Sequence, residues 1–183
     1  MQEIRPYIEK LINDASNSGA IIFYDPNFLL PHLKNLPKLK DFILFNIKNA
    51  NIVKSSDEDF GFIFNTNSGS ETFDVIRKIN PNICFFYTKG AEGCEFFNFD
   101  NKIVFPAPKI DVVNTIGASD NFNAGIIYGI LKYFEKLFGN ENYNAKKELL
   151  QISNSSIKEI LNIATNFSQR VCQSNENYIS IKK

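Results

Sequence analysis

Asp120 stands in the run Asn114-Thr115-Ile116-Gly117-Ala118-Ser119-Asp120-Asn121-Phe122-Asn123-Ala124-Gly125, where a turn of small residues leads into an apolar stretch holding Phe122, Ile126, Ile127, Ile130 and Leu131. A helix that starts there presents unpaired backbone N–H groups and partial positive charge in its first turn. Small residues let an anion come close to that backbone, which is how phosphate groups are commonly held. A carboxylate beside such a hole can take the proton of an attacking hydroxyl while the amides stabilise the phosphoryl group being transferred. Phosphoryl transfer asks mainly for positioning and charge stabilisation of this kind. The same residues also admit a plainer reading, in which Asp120 caps a helix and Gly117 makes a turn. The run is neither a Gly-Lys-Ser/Thr phosphate loop nor a dinucleotide fingerprint.

Three earlier stretches carry further candidates. Asp25-Pro26-Asn27 ends the apolar run Ala20–Tyr24 with a turn signal. Ser55-Ser56-Asp57-Glu58 combines hydroxyls and acids ahead of Phe60, Ile63 and Phe64, and Ser55 to Glu58 has capping-box spacing. Thr88-Lys89-Gly90-Ala91-Glu92-Gly93 taken alone is a hairpin-forming turn. His32, the one histidine, has no Cys or acidic partner at metal-ligand spacing and reads as an ordinary surface residue.

The Asn114–Gly125 run resembles the second signature of the PfkB, or ribokinase-like, carbohydrate kinases, roughly Asp-Thr-x-Gly-Ala-Gly-Asp-x-Phe. The resemblance implies an ATP- and Mg2+-dependent transfer of phosphate to a sugar hydroxyl. It makes Asp120 the general base and the amides of Gly117, Ala118, Ser119 and Asp120 the anion hole. Asn114 stands where the pattern has an Asp that helps bind a monovalent cation in some members, so potassium activation is not carried over. Ser119 replaces the second Gly, which keeps the amide and requires backbone angles that suit a Cβ. In the same order as in the family, Asp25-Pro26-Asn27 resembles the Asp-x-Asn-x-Arg element, with Leu29 at the Arg position. Ser55 to Glu58 resembles the Asn-x-x-Glu motif, which would have Glu58 organise magnesium through water. Thr88, Gly90 and Gly93 match the Thr-x-Gly-x-x-Gly turn that lines the nucleotide, as Asn27 would. Asn166, in Ile163–Ser168, falls in a segment like the family helix that flanks adenine.

Positioning these residues takes strands alternating with helices. Ile4, Tyr7, Ile8, Leu11, Ile12 and Ala15 share one helical face, closed by Gly19. Ala20–Tyr24 and Ile83–Thr88 read as strands buried on both faces, with Asn51–Lys54 as a third. Leu36–Asn49 favours a helix, although Phe42–Phe45 alone also reads as a strand; a short capped helix after Ser55-Ser56, Thr72–Ile79, Ser119–Phe138 and Ser155–Cys172 carry helical patterns. Cys94–Phe99 and Lys102–Phe105 form a hairpin turning at Asp100-Asn101, and Gly139–Tyr143 is a polar loop. This is an α/β pattern, whose ligands bind at the carboxyl ends of the strands. The expected fold is a partial three-layer ribokinase-like fold in which residues 1–183 make a single partial domain, the C-terminal nucleotide-binding and catalytic part. The family's substrate and lid part would precede Met1.

Composition sets limits. The chain has 183 residues, 44% of them hydrophobic, so it can bury a core. Twenty basic and 20 acidic residues leave a formal net charge of zero, which gives no footprint for nucleic acid or an anionic membrane. No apolar run approaches the roughly 20 residues of a membrane span. No secretory h-region is visible, and three widely spaced cysteines without CxxC fit a reduced cytoplasmic chain. The expected partner is a small-molecule sugar, with a homodimer or a complementing N-terminal half as an added possibility. Two other functions stay open. One is a truncated or split homologue that keeps nucleotide binding or only a structural role. The other is a kinase for a nucleoside or vitamin alcohol.

Overall fold

Local pattern and pairing together set the elements that carry the candidate residues. The computed structural model describes residues 3–99, 101–137 and 143–179. These fall into two compact units, Met1–Val104 with Asn144–Leu150, and Phe105–Tyr143 with Gln151–Lys183.

The first unit holds a five-stranded sheet of order β1 (Phe23–Tyr24), β2 (Ile52–Ser56), β3 (Cys84–Thr88), β4 (Cys94–Asn98) and β5 (Asn101–Phe105). β1, β2 and β3 run parallel, and β4 pairs antiparallel with β3. The parallel strands require helical crossovers. These are α2 (Leu36–Asn49), α3 (Asp57–Phe64) and α4 (Gly69–Ile79). α1 (Arg5–Asn17) precedes β1 and has proline in its first turn; Gly19 follows it at φ 84°. α6 (Ala145–Leu150) also belongs to this unit.

The alternation of β3 sorts its side chains between the two faces of the sheet. Phe85 and Tyr87 join Phe60, Phe73, Ile76 and Phe97 in a buried cluster. Phe85 lies 5.8 Å from both Phe60 and Phe97, ring centre to ring centre. On the other face Cys84 reaches the Leu149 carbonyl of α6, and Phe86 packs on Phe96 at 4.9 Å. Each buried Phe contributes on the order of 1.5–3 kcal/mol.

The expected strand Ala20–Tyr24 shortens to Phe23–Tyr24. The Ile22 carbonyl accepts from both Asn51 and Ile52 amides, and the Ile22 amide donates to the Asn51 side chain, so a side chain replaces the ladder there. A six-residue 3-10 turn at Leu30–Asn35 and the short α6 were not anticipated. The hairpin forms, with Phe99 at φ 45° before the turn; Asp100 lies outside the described residues, as does most of the expected loop at 139–143. Among the described residues, no helix is long and apolar enough to cross a membrane.

The second unit is built on α5 (Ala118–Glu135) and α7 (Asn154–Cys172). They cross at small residues: a Cβ on Gly125 would fall well inside 3.0 Å of the Ala164 Cα, and one on Gly129 would lie 3.1 Å from the Ile160 Cα. Gly125 facing Ala164 and Gly129 facing Ile160 make the helices antiparallel.

Burial pushes the thiols of Cys84 and Cys94 up to about 12. Because the unfolded chain releases these protons first, near its ordinary value of 9.0, their contribution to stability is intact below that pH and declines above it. The expected loss is roughly 1.4 kcal/mol per pH unit for each thiol between about pH 9 and 12. At pH 8 a thiol reagent should modify these two cysteines only after denaturation, which Ellman titration with and without guanidinium measures. Fast reaction of either in the native chain would contradict their burial.

Candidate active site

In the second unit the run Asn114–Gly125 builds a helix start. The Asn114 side-chain oxygen accepts the Ile116 amide at 3.0 Å, an Asx turn that leads the chain into Gly117. Gly117 is the N-cap at φ 82°, a left-handed angle, and a Cβ there would lie 2.5 Å from the Asn177 carbonyl oxygen. Both facts require glycine. The helical ladder opens with Asn121 N–H donating to Gly117 O at 2.9 Å, so the amides of 118, 119 and 120 precede it. Of these, the Ala118 amide turns back to the Thr115 carbonyl at 3.1 Å. Ser119 lies within the helix and is not among the positive-φ residues, so its backbone suits a side chain.

Asp120 is exposed in the first turn of α5, where the helix dipole favours a negative charge. Two sets of contacts that no motif marks shape this end. The Asn121 side chain donates to the carbonyls of Gly117, at 2.9 Å, and of Asn177, at 3.2 Å. The amides of Val113 and Asn114 donate to the Cys172 carbonyl at the end of α7. The segment after α7 therefore closes over the α5 start. Asn166 is exposed two residues beyond Ala164, close to the opposite side of α7 from α5 at about 100° per residue. The fold thus groups Gly117, Ala118, Ser119 and Asp120 and leaves Asn166 apart from them.

In the first unit the candidates gather at the carboxyl ends of three adjacent parallel strands. After β1, the Asp25 side chain accepts the Asn27 amide at 3.1 Å and pairs with the Lys54 ammonium at 3.1 Å. Asn27 is exposed at φ 44°, a left-handed angle that Asn tolerates better than most residues. Leu29, at the position of the expected arginine, is exposed. After β2, Ser56 is the N-cap of α3 and forms a capping box with Asp59. The box expected at Ser55 and Glu58 therefore sits one residue further on. Ser55 is held in the sheet, paired with Tyr87, and its carbonyl accepts the Thr88 hydroxyl at 3.3 Å.

That shift frees Glu58 from capping and leaves it exposed in the first turn of α3. Asp59 is buried and does two jobs. One oxygen accepts from the Ser56 amide and hydroxyl, and the other accepts the Phe28 amide at 2.7 Å, tying the loop after β1 to α3. After β3, the 3-10 turn Gly90–Glu92 is bounded by Gly90 at φ 52° and Gly93 at φ 100°, and Lys89 N–H donates to the Gly93 carbonyl at 2.8 Å. Lys89 also pairs with Glu95 at 3.2 Å; that carboxylate, with a smaller part from Glu92, raises its pKa. Lys54 and Asp59 escape a motif search because their roles come from contacts between segments distant in sequence.

The residues fit magnesium held mainly by a nucleotide. Among the described residues no three His, Cys, Asp or Glu side chains converge as a metal cage. Magnesium in phosphoryl-transfer sites keeps much of its water and leans on phosphates, so the exposed Glu58 carboxylate is a suitable outer partner.

Residues 2–183 match the family model for the pfkB family of carbohydrate kinases. The chain belongs to that family. Among its relatives is "Probable fructokinase-6, chloroplastic" from Arabidopsis thaliana, 35% identical over 117 residues, which are 62% of this chain and 30% of that protein. The fructokinase from Xylella fastidiosa solved with bound ATP superposes with a TM-score of 0.75 at 17% identity, over 92% of this chain and 50% of that one. The aminoimidazole riboside kinase of Salmonella enterica, complexed with aminoimidazole riboside and an ATP analog, gives 0.72 at 16% identity, over 92% and 51%. The fold of this pfkB-family chain is therefore ribokinase-like and partial. It spans about half the length of the solved relatives.

Proposed function

We propose that this chain carries the nucleotide-binding and catalytic part of an ATP-dependent kinase that phosphorylates a sugar hydroxyl. The observation that carries the reading is the α5 start, where a left-handed Gly117 opens a helix whose first turn exposes Asp120. Asp120 takes the proton of the acceptor hydroxyl as its oxygen bonds to the γ-phosphorus. The bond from that phosphorus to the β–γ bridging oxygen breaks, and ADP leaves. The amides at Gly117, Ser119 and Asp120 stabilise the charge on the transferring group, and that of Ala118 joins them on leaving the Thr115 carbonyl. The carboxyl-end loops of the first unit serve the nucleotide, with Asn27, Thr88, Gly90 and Gly93 as contacts and Asn166 as a further contact from α7. Magnesium, when bound, neutralises phosphate charge, and Glu58 orients its water shell. The fructokinase relatives favour a sugar acceptor; the nucleoside reading has fold likeness alone behind it. A cytoplasmic location is part of the proposal and rests on the three widely spaced cysteines without a CxxC pair.

The test is titration calorimetry of the chain with Mg-ATP, followed by phosphorus NMR of ATP incubated with fructose. The expected result is a saturable heat and the growth of ADP and sugar-phosphate signals. Heat without turnover would favour a non-catalytic homologue that binds nucleotide, and no heat at millimolar Mg-ATP would favour a structural remnant. Leu29 in place of arginine is the feature that favours these outcomes.

A further inference from the structure

Lys54 is 2% exposed, in a strand where its neighbours Ile52 and Val53 are fully buried and apolar. Lysine is almost never buried to this degree unless paired. Its partner is Asp25, the residue following β1. The pairing follows from register: β1 sets Tyr24 against Val53, and the next step along two parallel strands sets Asp25 beside Lys54. Replacing a buried ion pair by apolar residues is often neutral or stabilising, so the pair is poorly explained by stability alone.

Its geometry suggests what it does instead. One Asp25 oxygen is held by Lys54 and the other accepts the Asn27 amide. On the far side of Asn27, Phe28 is fixed twice. Its ring is in the core, 4% exposed, and its amide is held by Asp59. Asn27 is thus displayed in a left-handed conformation between Asp25 and Phe28, both of them anchored. The Lys54 side chain is 3% exposed, which rules out direct contact with a ligand outside the strand ends.

We propose that Lys54 is a positioning residue: acting through Asp25, it holds Asn27 in the conformation that meets the nucleotide. This rests on the kinase reading given above, and it gives the buried Lys54 a function that acts through Asp25.

The experiment compares Lys54→Met, Asp25→Leu and the double variant with the parent, reading the Kd for Mg-ATP and the Tm. Each single change breaks a buried ion pair and should lower Tm by about 5 °C or more. The double change removes both charges and should recover most of that Tm. Positioning predicts that its Kd stays at least about tenfold weaker than the parent's, because the Asn27 amide has lost its acceptor. A double variant with restored Tm and parental Kd overturns the proposal and leaves the kinase reading standing. A double variant that does not fold shows that the pair holds the sheet itself, and also overturns it. A parent that binds no Mg-ATP removes the kinase reading and this proposal together.

Discussion

Asp120→Asn should lower kcat for sugar phosphorylation by at least about 100-fold while leaving the Kd for Mg-ATP within about twofold. General-base catalysis is typically worth about 10²–10⁴ in rate. The amide is nearly isosteric with the carboxylate but cannot accept the hydroxyl proton. Asp120 is exposed, so its replacement leaves no buried group unsatisfied. Loss of its favourable interaction with the α5 dipole should cost about 0.3–1 kcal/mol, too little to unfold the chain. Steady-state kinetics with Mg-ATP and fructose, calorimetry and thermal unfolding measure the three quantities. A variant with near-parental turnover would remove the base assignment, leaving Asp120 as a favourable charge at a helix start. A variant that lost nucleotide affinity in step with turnover would instead place Asp120 in binding.

Gly125→Ala should destabilise the chain by about 2 kcal/mol, although alanine is the better helix former. Propensity alone favours Ala over Gly by about 1 kcal/mol in a helix interior. Against this, the new methyl falls on the Ala164 backbone, with the Cα, N and Cβ of Ala164 all within 3.2 Å. Ala164 is fully buried in α7, and main-chain atoms cannot step aside as the end of a flexible side chain can. Overpacking of this kind costs typically about 1–3 kcal/mol and occasionally more, so packing outweighs propensity here. Gly61→Ala supplies the contrast. It also lies within a helix, α3, but its Cβ would meet only the Thr66 carbonyl at an ordinary 3.5 Å. That variant should gain about 0.5–1 kcal/mol. Urea unfolding followed by helical circular dichroism measures both. If the two substitutions shifted stability in the same direction, the close α5–α7 crossing would not be the controlling contact.

Much of the fold is legible because helices advertise themselves locally. The predicted stretches Leu36–Asn49, Ser119–Phe138 and Ser155–Cys172 fall close to α2, α5 and α7, since periodicity and caps are properties of one segment. The same periodicity marks α1 correctly as a helix but says nothing of its burial. Its apolar face at Ile4, Tyr7, Ile8 and Leu11 exists, yet all four are exposed, because a pattern cannot supply the surface that would cover it. Strands are less legible because a strand exists only with a partner. Ala20–Tyr24 is apolar throughout, but the Asn51 side chain takes the ladder position at Ile22 and two residues remain. α6 has only six residues, too few for a period to register.

The candidate site divides in the same way. From the residues alone came the α5 start: the turn of small residues, glycine at the one left-handed position, and an acid in the first turn. Each depends on neighbours along the chain, so sequence is enough. The capping box could not be placed that way, because Ser55–Glu58 and Ser56–Asp59 satisfy its spacing equally. Pairing of Ser55 with Tyr87 keeps Ser55 in the sheet, leaves Ser56 to cap α3 and releases Glu58. Lys54 beside Asp25, and Asp59 beneath Phe28, likewise join residues about 30 positions apart. A parallel register decides the first of those contacts, and register is a property of two strands at once. Sequence therefore determined which residues are candidates for handling a phosphate in this chain, and the tertiary structure decided which of their neighbours hold them in place.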